Sequence, residues 1–338
     1  MLKKIMILTT TICAVVSLAI FRPVQAQDFW EQANGPFGGR VRSLAINAGG
    51  DIFAGTEGSG VFRSTDNGDN WTQTGLGSID IRSLAINSVD VIFAGNSGKI
   101  YRSMDNGDNW VQMGFIAGNV YSLAINPVGD IFSGGGGGVF RSTDNGDNWV
   151  QTGLADGEVE SLTINSNGHI FAGTLNGIYR SMDNGSSWTE INSGLINTPV
   201  NAIAINSTGD IFAGIHWGWV FRSIDSGDNW TEINSGLTLP TVRSLAINST
   251  GDIFVGSSGG LFRSTDNGYN WTITTLPSNS VSTLAINSSD HIFAGTDGGG
   301  IFRSVDNGDN WTEVNNGLTN TTVLSLAINS TDQIFAGT

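Results

Sequence analysis

The chain is predicted to be all-β, a propeller of four-stranded antiparallel blades. Three observations predict it. A segment of form Ser-x-Asp-x-Gly-x-x-Trp, called the box below, recurs seven times, starting at Ser64, Ser103, Ser142, Ser181, Ser223, Ser264 and Ser304, in steps of 39, 39, 39, 42, 41 and 40 residues. A second segment, Ser-Leu-Ala-Ile-Asn in its commonest form, appears eight times, ending at Asn47, Asn87, Asn126, Asn165, Asn206, Asn248, Asn287 and Asn329. A third, close to Asp-Ile-Phe-Ala-Gly-Thr, follows each of these. Self-similarity at about 40 residues, with no helical period after residue 26, is the mark of propeller blades.

Each unit reads as four short strands, A to D. In the first unit these are 41–47, 51–54, 61–64 and 71–74. All are β-branched or aromatic and are bounded by Gly, Asn, Asp or Ser. A β-helix wants shorter coils, and a sandwich does not repeat its sequence. The box joins strand C to strand D. Its glycines (Gly68, Gly107, Gly146, Gly185, Gly227, Gly268, Gly308) are placed where a turn needs positive φ. Its aspartates (Asp66, Asp105, Asp144, Asp183, Asp225, Asp266, Asp306) can accept from turn backbone N–H groups, with the box serines adding local bonds. Its tryptophans (Trp71, Trp110, Trp149, Trp188, Trp230, Trp271, Trp311) each bury a large ring that locks the hairpin to the sheet. A calcium loop is a poor match, because there is no Asp-x-Asp-x-Asp-Gly run and no closing glutamate. No metal or cofactor is expected.

The tally of strands is eight A, eight B, seven C and eight D. Residues 29–32 align with a D strand, and the chain ends on an A strand (323–329) and a B strand (333–336). Seven complete repeats plus a split eighth blade would close a ring without free edges. The abrupt end at Thr338 favours a sequence cut short.

Residues 1–26 read as a signal peptide, with Lys3 and Lys4, an apolar run over 5–21, and Val24-Gln25-Ala26 as the cleavage signal. The propeller domain then spans 27–338. The one cysteine, Cys13, falls in the leader, so no disulfide or thiol chemistry is available to the rest. Without Lys3, Lys4 and Arg22 the remainder carries 12 basic against 30 acidic residues, a net charge of −18. That balance argues against nucleic acid and anionic membranes as partners, since phosphate binding needs clustered Lys and Arg. Only 13% of the chain is charged, against roughly 25% in a typical globular domain, while 47 glycines supply turns. A secreted, periplasmic or cell-surface location is expected.

The box resembles the Asp-box (BNR) repeat of sialidases, sortilin-type receptors, xyloglucanases and the propeller factors that help assemble photosystem II. The resemblance covers nearly all of residues 28–338. It implies the propeller fold and makes the box a structural turn, away from any catalytic or binding site. A sialidase is disfavoured. The arginines before the boxes belong to the repeat, and the one Phe-Arg-Pro lies at 21–23, without the family's Phe-Arg-Ile-Pro form. A xyloglucanase-like hydrolase needs two opposed carboxylates. Glu57, Asp156, Glu158, Glu160 and Asp297 are non-repeat acids, yet none forms a pair legible in sequence. His169, His216 and His291 are isolated, and there is no triad or P-loop.

If the repeats are scaffold, function sits where they differ. In a four-stranded meander the B–C and D–A loops share one face, and the A–B loops and boxes share the other. Most B–C loops are Gly and Ser, but 215–219 carries His216, Trp217 and Trp219. Exposed indoles stack on sugar rings or apolar peptide groups; packing against the protein itself is the competing expectation. The residue at the start of each A strand also varies: Arg42, Arg82, Tyr121, Glu160, Asn201, Arg243, Ser282 and Leu324. These are expected near the mouth of the central channel, as a ligand site or as solvated rim. No catalytic residue is assigned. The sequence favours a non-catalytic binding or scaffold module for a glycan or protein ligand. Two alternatives stand: a carbohydrate-active hydrolase, and the periplasmic sensor propeller of a larger signalling protein.

Overall fold

The computed structural model describes residues 40–66, 70–154, 157–196, 198–238, 241–315 and 320–338. The expected leader, the D strand at 29–32 and Gly68 lie outside the described residues, as does Asp156. Among the described residues there are strands and turns but no helix. The fold is a β-propeller of small antiparallel sheets. Each repeat runs as a meander: in the first, Val41–Ile46, Ile52–Thr56, Gly60–Ser64 and Thr72–Gln73 pair in chain order.

The expectation of seven separate four-stranded blades is not met. Five sheets have four strands. Repeats 2 and 3 share a single seven-stranded sheet, and the last sheet has two strands, Ser325–Ile328 and Ile334–Gly337. The merger comes from one strand, Val111–Ile125. It serves as the outer strand of repeat 2 and the inner strand of repeat 3, pairing with Ser97–Ser103 on one side and Ile131–Gly135 on the other. The segment Val111 to Ile116 is rich in β-formers. Its backbone therefore continues the ladder, with Phe115 opposite Lys99, instead of turning at once. The outer strands elsewhere are only two residues long, shorter than expected.

The core lies between sheets. Phe171 of repeat 4 is fully buried in a cluster with Val200, Ile211, Ala213 and Trp230 of repeat 5. Equivalent clusters join the other neighbours, around Phe53, Phe212 and Phe254 among others. Close approach of the inner strands sets the glycine of the third segment. A Cβ on Gly214 would stand 2.3 Å from Cγ1 of Val242 in the next repeat. Each inner strand packs on the next, and the last packs on the first. The seam is tied by Val41 N–H donating to the Thr338 carbonyl at 3.0 Å and Ser325 Oγ donating to the Val41 carbonyl at 3.3 Å.

The box turns are built as their spacing implies. In all seven the serine hydroxyl donates to the box aspartate at 2.8–2.9 Å. The aspartate accepts the backbone N–H four residues on, for example Asn109 to Asp105 at 2.9 Å. From the second box onward the serine also accepts the glycine N–H at 2.7–2.8 Å. Gly107, at φ 90°, follows Asn106 at φ 60°, so two successive residues are left-handed.

Contacts across repeat boundaries were not legible in advance. The amide of Asn47 donates to Asn106 of the next box at 3.1 Å, and Asn106 in turn donates to Asp51. The same interlock recurs for Asn126, Asn184 and Asp130. The box tryptophan reaches backwards too: Trp110 Nε1 donates to Thr74 Oγ1 at 3.1 Å, and Trp271 Nε1 to the Ile233 carbonyl at 2.6 Å. The three recurring segments therefore staple each repeat to its neighbour, rather than only closing their own hairpin.

Candidate functional site

Backbone bonds place the B–C and D–A loops together. His216 N–H donates to the Pro199 carbonyl, Ser258 to Thr241, and Asp297 to Ser280. The variable residue at the start of the inner strand is a β-bulge. Pairing slips between Val41 and Ser43, Val120 and Ser122, Val159 and Ser161, Val200 and Ala202, Val242 and Ser244, and Val281 and Thr283. The unpaired residues are Arg42, Tyr121, Glu160, Asn201, Arg243 and Ser282. A bulge re-aims its side chain, which explains why this position varies while its neighbours do not.

Part of this set is joined into one polar arc. Arg42 pairs with Glu57 at 2.9 Å and approaches Asp80 at 3.9 Å. Asp80 also pairs with Arg82 at 3.2 Å. The Arg82 guanidinium lies 5.7 Å from the centre of the Tyr121 ring, a cation–π contact. Asn119 donates to the Tyr121 hydroxyl at 3.0 Å. That hydroxyl donates to Glu158, which raises its pKa; the Asn119 donor opposes the shift. Burial, with the charge of Glu158 beside it, raises the pKa of Glu160. The arc spans repeats 1 to 4. Asn201 and Arg243 do not join it: Asn201 donates to the Val242 carbonyl at 2.9 Å and Arg243 to Ser280 Oγ at 3.0 Å. Ser282 and Leu324 are half-buried.

Asp80, Asn119 and Ser280 were missed in the sequence. They fall two residues before the bulge, at a position that varies as the bulge does, and that variation was the available signal. Glu158 and Glu160 share one strand, Val159–Ile164, and its lead-in, so they do not face each other across a cleft.

The tryptophan loop stands in the open. Trp217 is 67% exposed and Trp219 41%. The loop is closed by Ile215 N–H donating to the Trp219 carbonyl and Gly218 N–H to the Ile215 carbonyl, with Gly218 at φ 85°. His216 meets Trp217 edge-on, ring centres 5.4 Å apart. Trp219 is the more covered of the two, its ring centre 6.5 Å from that of Phe221. Among the described residues no group of three His, Cys, Asp or Glu is placed to hold a metal, and no helix is long and apolar enough to cross a membrane.

Comparison with known proteins gives the fold a family. No curated protein matches the chain. Among solved structures, the extracellular domain of BT4673 from B. thetaiotaomicron, described as a one component system, is 15% identical with a TM-score of 0.64. The match covers 92% of this chain but only 51% of that one, so this chain spans about half its length. The computationally designed Ika8 protein is 12% identical with a TM-score of 0.75, covering 91% of this chain and 96% of that one. The GH74 xyloglucanase from Xanthomonas campestris is 18% identical with a TM-score of 0.65, covering 88% and 57%. At these identities the likeness is one of fold. The sequence model of the DUF6242 beta propeller domain matches residues 92–212 and 212–333, well over half the chain, and the chain therefore belongs to the DUF6242 beta propeller domain family.

Proposed function

We propose that the protein is an exported, non-catalytic binding module that takes a glycan or protein ligand on its tryptophan-bearing face. The exposure of Trp217 and Trp219 carries this reading. Two indoles held on a hydrogen-bonded loop lose little conformational freedom on binding, so their apolar area is available for affinity. Export rests on residues 1–26 read as a signal peptide cleaved after Ala26, and the likeness to an extracellular domain agrees with it. The same reading places the chain in the Asp-box propeller group, on the seven boxes that start at Ser64 to Ser304. Glycan and peptide arrays probed with wild type and with Trp217→Ala/Trp219→Ala test it. At least tenfold weaker capture by the double variant is expected; equal capture, or none by either protein, refutes it.

A second reading, a carbohydrate-active hydrolase, draws on Glu160, whose carboxyl is pushed up by burial and by Glu158 as a general acid requires. It predicts release of reducing ends from β-glucans, abolished in Glu160→Gln. A sensor propeller within a larger signalling protein draws on the likeness to the BT4673 extracellular domain. It predicts that ligand binding survives in the propeller alone.

A further inference from the structure

The boundary between repeats 3 and 4 differs from its neighbours on the box face, opposite the tryptophan loop. At four boundaries the arginine before one box grips an aspartate of the next. The pairs are Arg63–Asp108 at 2.9 Å, Arg102–Asp147 at 2.8 Å, Arg180–Asp228 at 2.9 Å and Arg263–Asp309 at 2.7 Å. The aspartate is missing at two boundaries. Tyr269 replaces it at one, its ring largely exposed, with Arg222 5.5 Å from the ring centre. Ser186 replaces it at the other, and it lines a pocket of about 370 Å³ at that boundary. Arg141 stands in its wall, and among the described residues its partner is Asp130 of its own repeat, at 2.8 Å.

We propose that this cavity binds a carboxylated sugar, with the carboxylate on Arg141 where the aspartate of the next box sits at four other boundaries. The protein's own repeats supply the precedent. In them an arginine of this position takes the carboxylate of the next box at 2.7–2.9 Å. Asp144 in the cavity wall stays charged, engaged by Ser142, by the Asn148 N–H and by the Asn148 amide, so the attraction for a carboxylate comes from Arg141 alone among the lining residues. The volume falls within the roughly 300–1,000 Å³ of ligand sites and exceeds what a bare carboxylate fills. Asn148, Gln151 and Ser186 offer polar groups, and Val150 an apolar side, a lining suited to a hydroxylated ring.

Calorimetric titration of the protein with galacturonate tests this, with galactose and acetate as controls. Saturable galacturonate binding is expected, at least tenfold tighter than either control. Ser186→Asp, which restores the aspartate seen at the other boundaries, is expected to weaken it at least tenfold and to raise Tm. Arg141→Gln is expected to weaken it without raising Tm. Trp217→Ala/Trp219→Ala is expected to leave it unchanged, which separates this site from the proposed function. Digalacturonate binding as tightly as the monomer points to polymer ends as the source, and tenfold weaker binding points to the free sugar acid. No saturable binding, equal binding of galactose, equal binding of acetate, or undiminished binding by Ser186→Asp would overturn the proposal.

Discussion

Replacing Ser223 by alanine isolates the hydrogen bonds that hold a box together. The Ser223 side chain is 1% exposed. Its oxygen accepts the Gly227 N–H at 2.7 Å and donates to Asp225 at 2.8 Å. Alanine leaves a buried N–H without a partner and removes one donor from a carboxylate. An orphaned buried group costs about 1–3 kcal/mol, so a loss of about 2 kcal/mol is expected. Unfolding entropy of about 2 cal/mol/K per residue, over some 300 ordered residues, converts this to a fall in Tm of about 3 °C. Asp309→Ala in another clamp is the comparison. Its carboxylate is 63% exposed, its partner Arg263 has a second acid, Asp252, opening the second strand of its own repeat, and a solvent-facing pair contributes about 0–1 kcal/mol. The serine variant should therefore be the more damaging, although it removes no charge. Urea unfolding followed by tryptophan fluorescence measures both. A Ser223→Ala loss under 0.5 kcal/mol, or one smaller than that of Asp309→Ala, would refute the ranking of a buried local bond above an exposed ion pair.

Other consequences follow from the same contacts. Asp183, Asp225 and Asp306 are held down to about 2 by hydrogen bonds led by Ser187, Asn229 and Asn310 respectively. Their folded pKa values lie below the unfolded ones, so the unfolded chain binds more protons between about pH 4 and 2. Stability is fully present above that window and falls through it; a Tm that stays flat to pH 2 would contradict this. Phe212→Ala, at a fully buried site between repeats 5 and 6, is expected to cost about 3–5 kcal/mol by urea titration. Gly214→Ala, whose new Cβ would stand 2.3 Å from Val242, should cost about 1–3 kcal/mol through overpacking. Trp217→Ala should change stability by no more than about 0.5 kcal/mol, since its ring faces solvent.

What the sequence made legible was local. The box serine, aspartate and glycine lie within four residues of one another, so their spacing alone implies the turn, and Asp105 accepts Asn109 N–H as that spacing requires. The two-face division of the loops followed from the meander. The bulge did not, because it depends on register: Tyr121 is left over only because Val120 pairs with Gly135 and Ser122 with Gly134. Sequence variation at Tyr121 could mark the position but not its aim. The merger through Val111–Ile125 was hidden because the repeat length at that boundary is the ordinary 39 residues, and only the pairing of Lys99 with Phe115 reveals the continued ladder. Contacts between repeats were hidden for a similar reason. Trp110 and Thr74 are 36 residues apart, and nothing in either segment alone points to the other.

The arginines before the boxes show how such long-range constraints are written into the repeats. Each of six is only 12–25% exposed on its side chain, so a guanidinium without an acid would be costly there. Two acids are within its reach: the aspartate of the next box and the aspartate that opens the second strand of its own repeat. Arg102 and Arg180 have Val91 and His169 at the latter position, and both grip the next box, through Asp147 and Asp228. Arg141 and Arg222 have Ser186 and Tyr269 in the next box, and both turn to their own repeat, to Asp130 and Asp210, at 2.8 and 2.7 Å. None of the six has lost both acids. The departures from the repeat are thus complementary across each boundary, and they divide into two kinds. Tyr269 loses the acid and sets an aromatic ring beside Arg222. Ser186 loses the acid and lines a pocket beside Arg141, whose acid is Asp130. A cavity kept beside an arginine whose structural need is already met is a feature that stability does not call for, and that is why the boundary between repeats 3 and 4 is the place on the box face to look for a ligand.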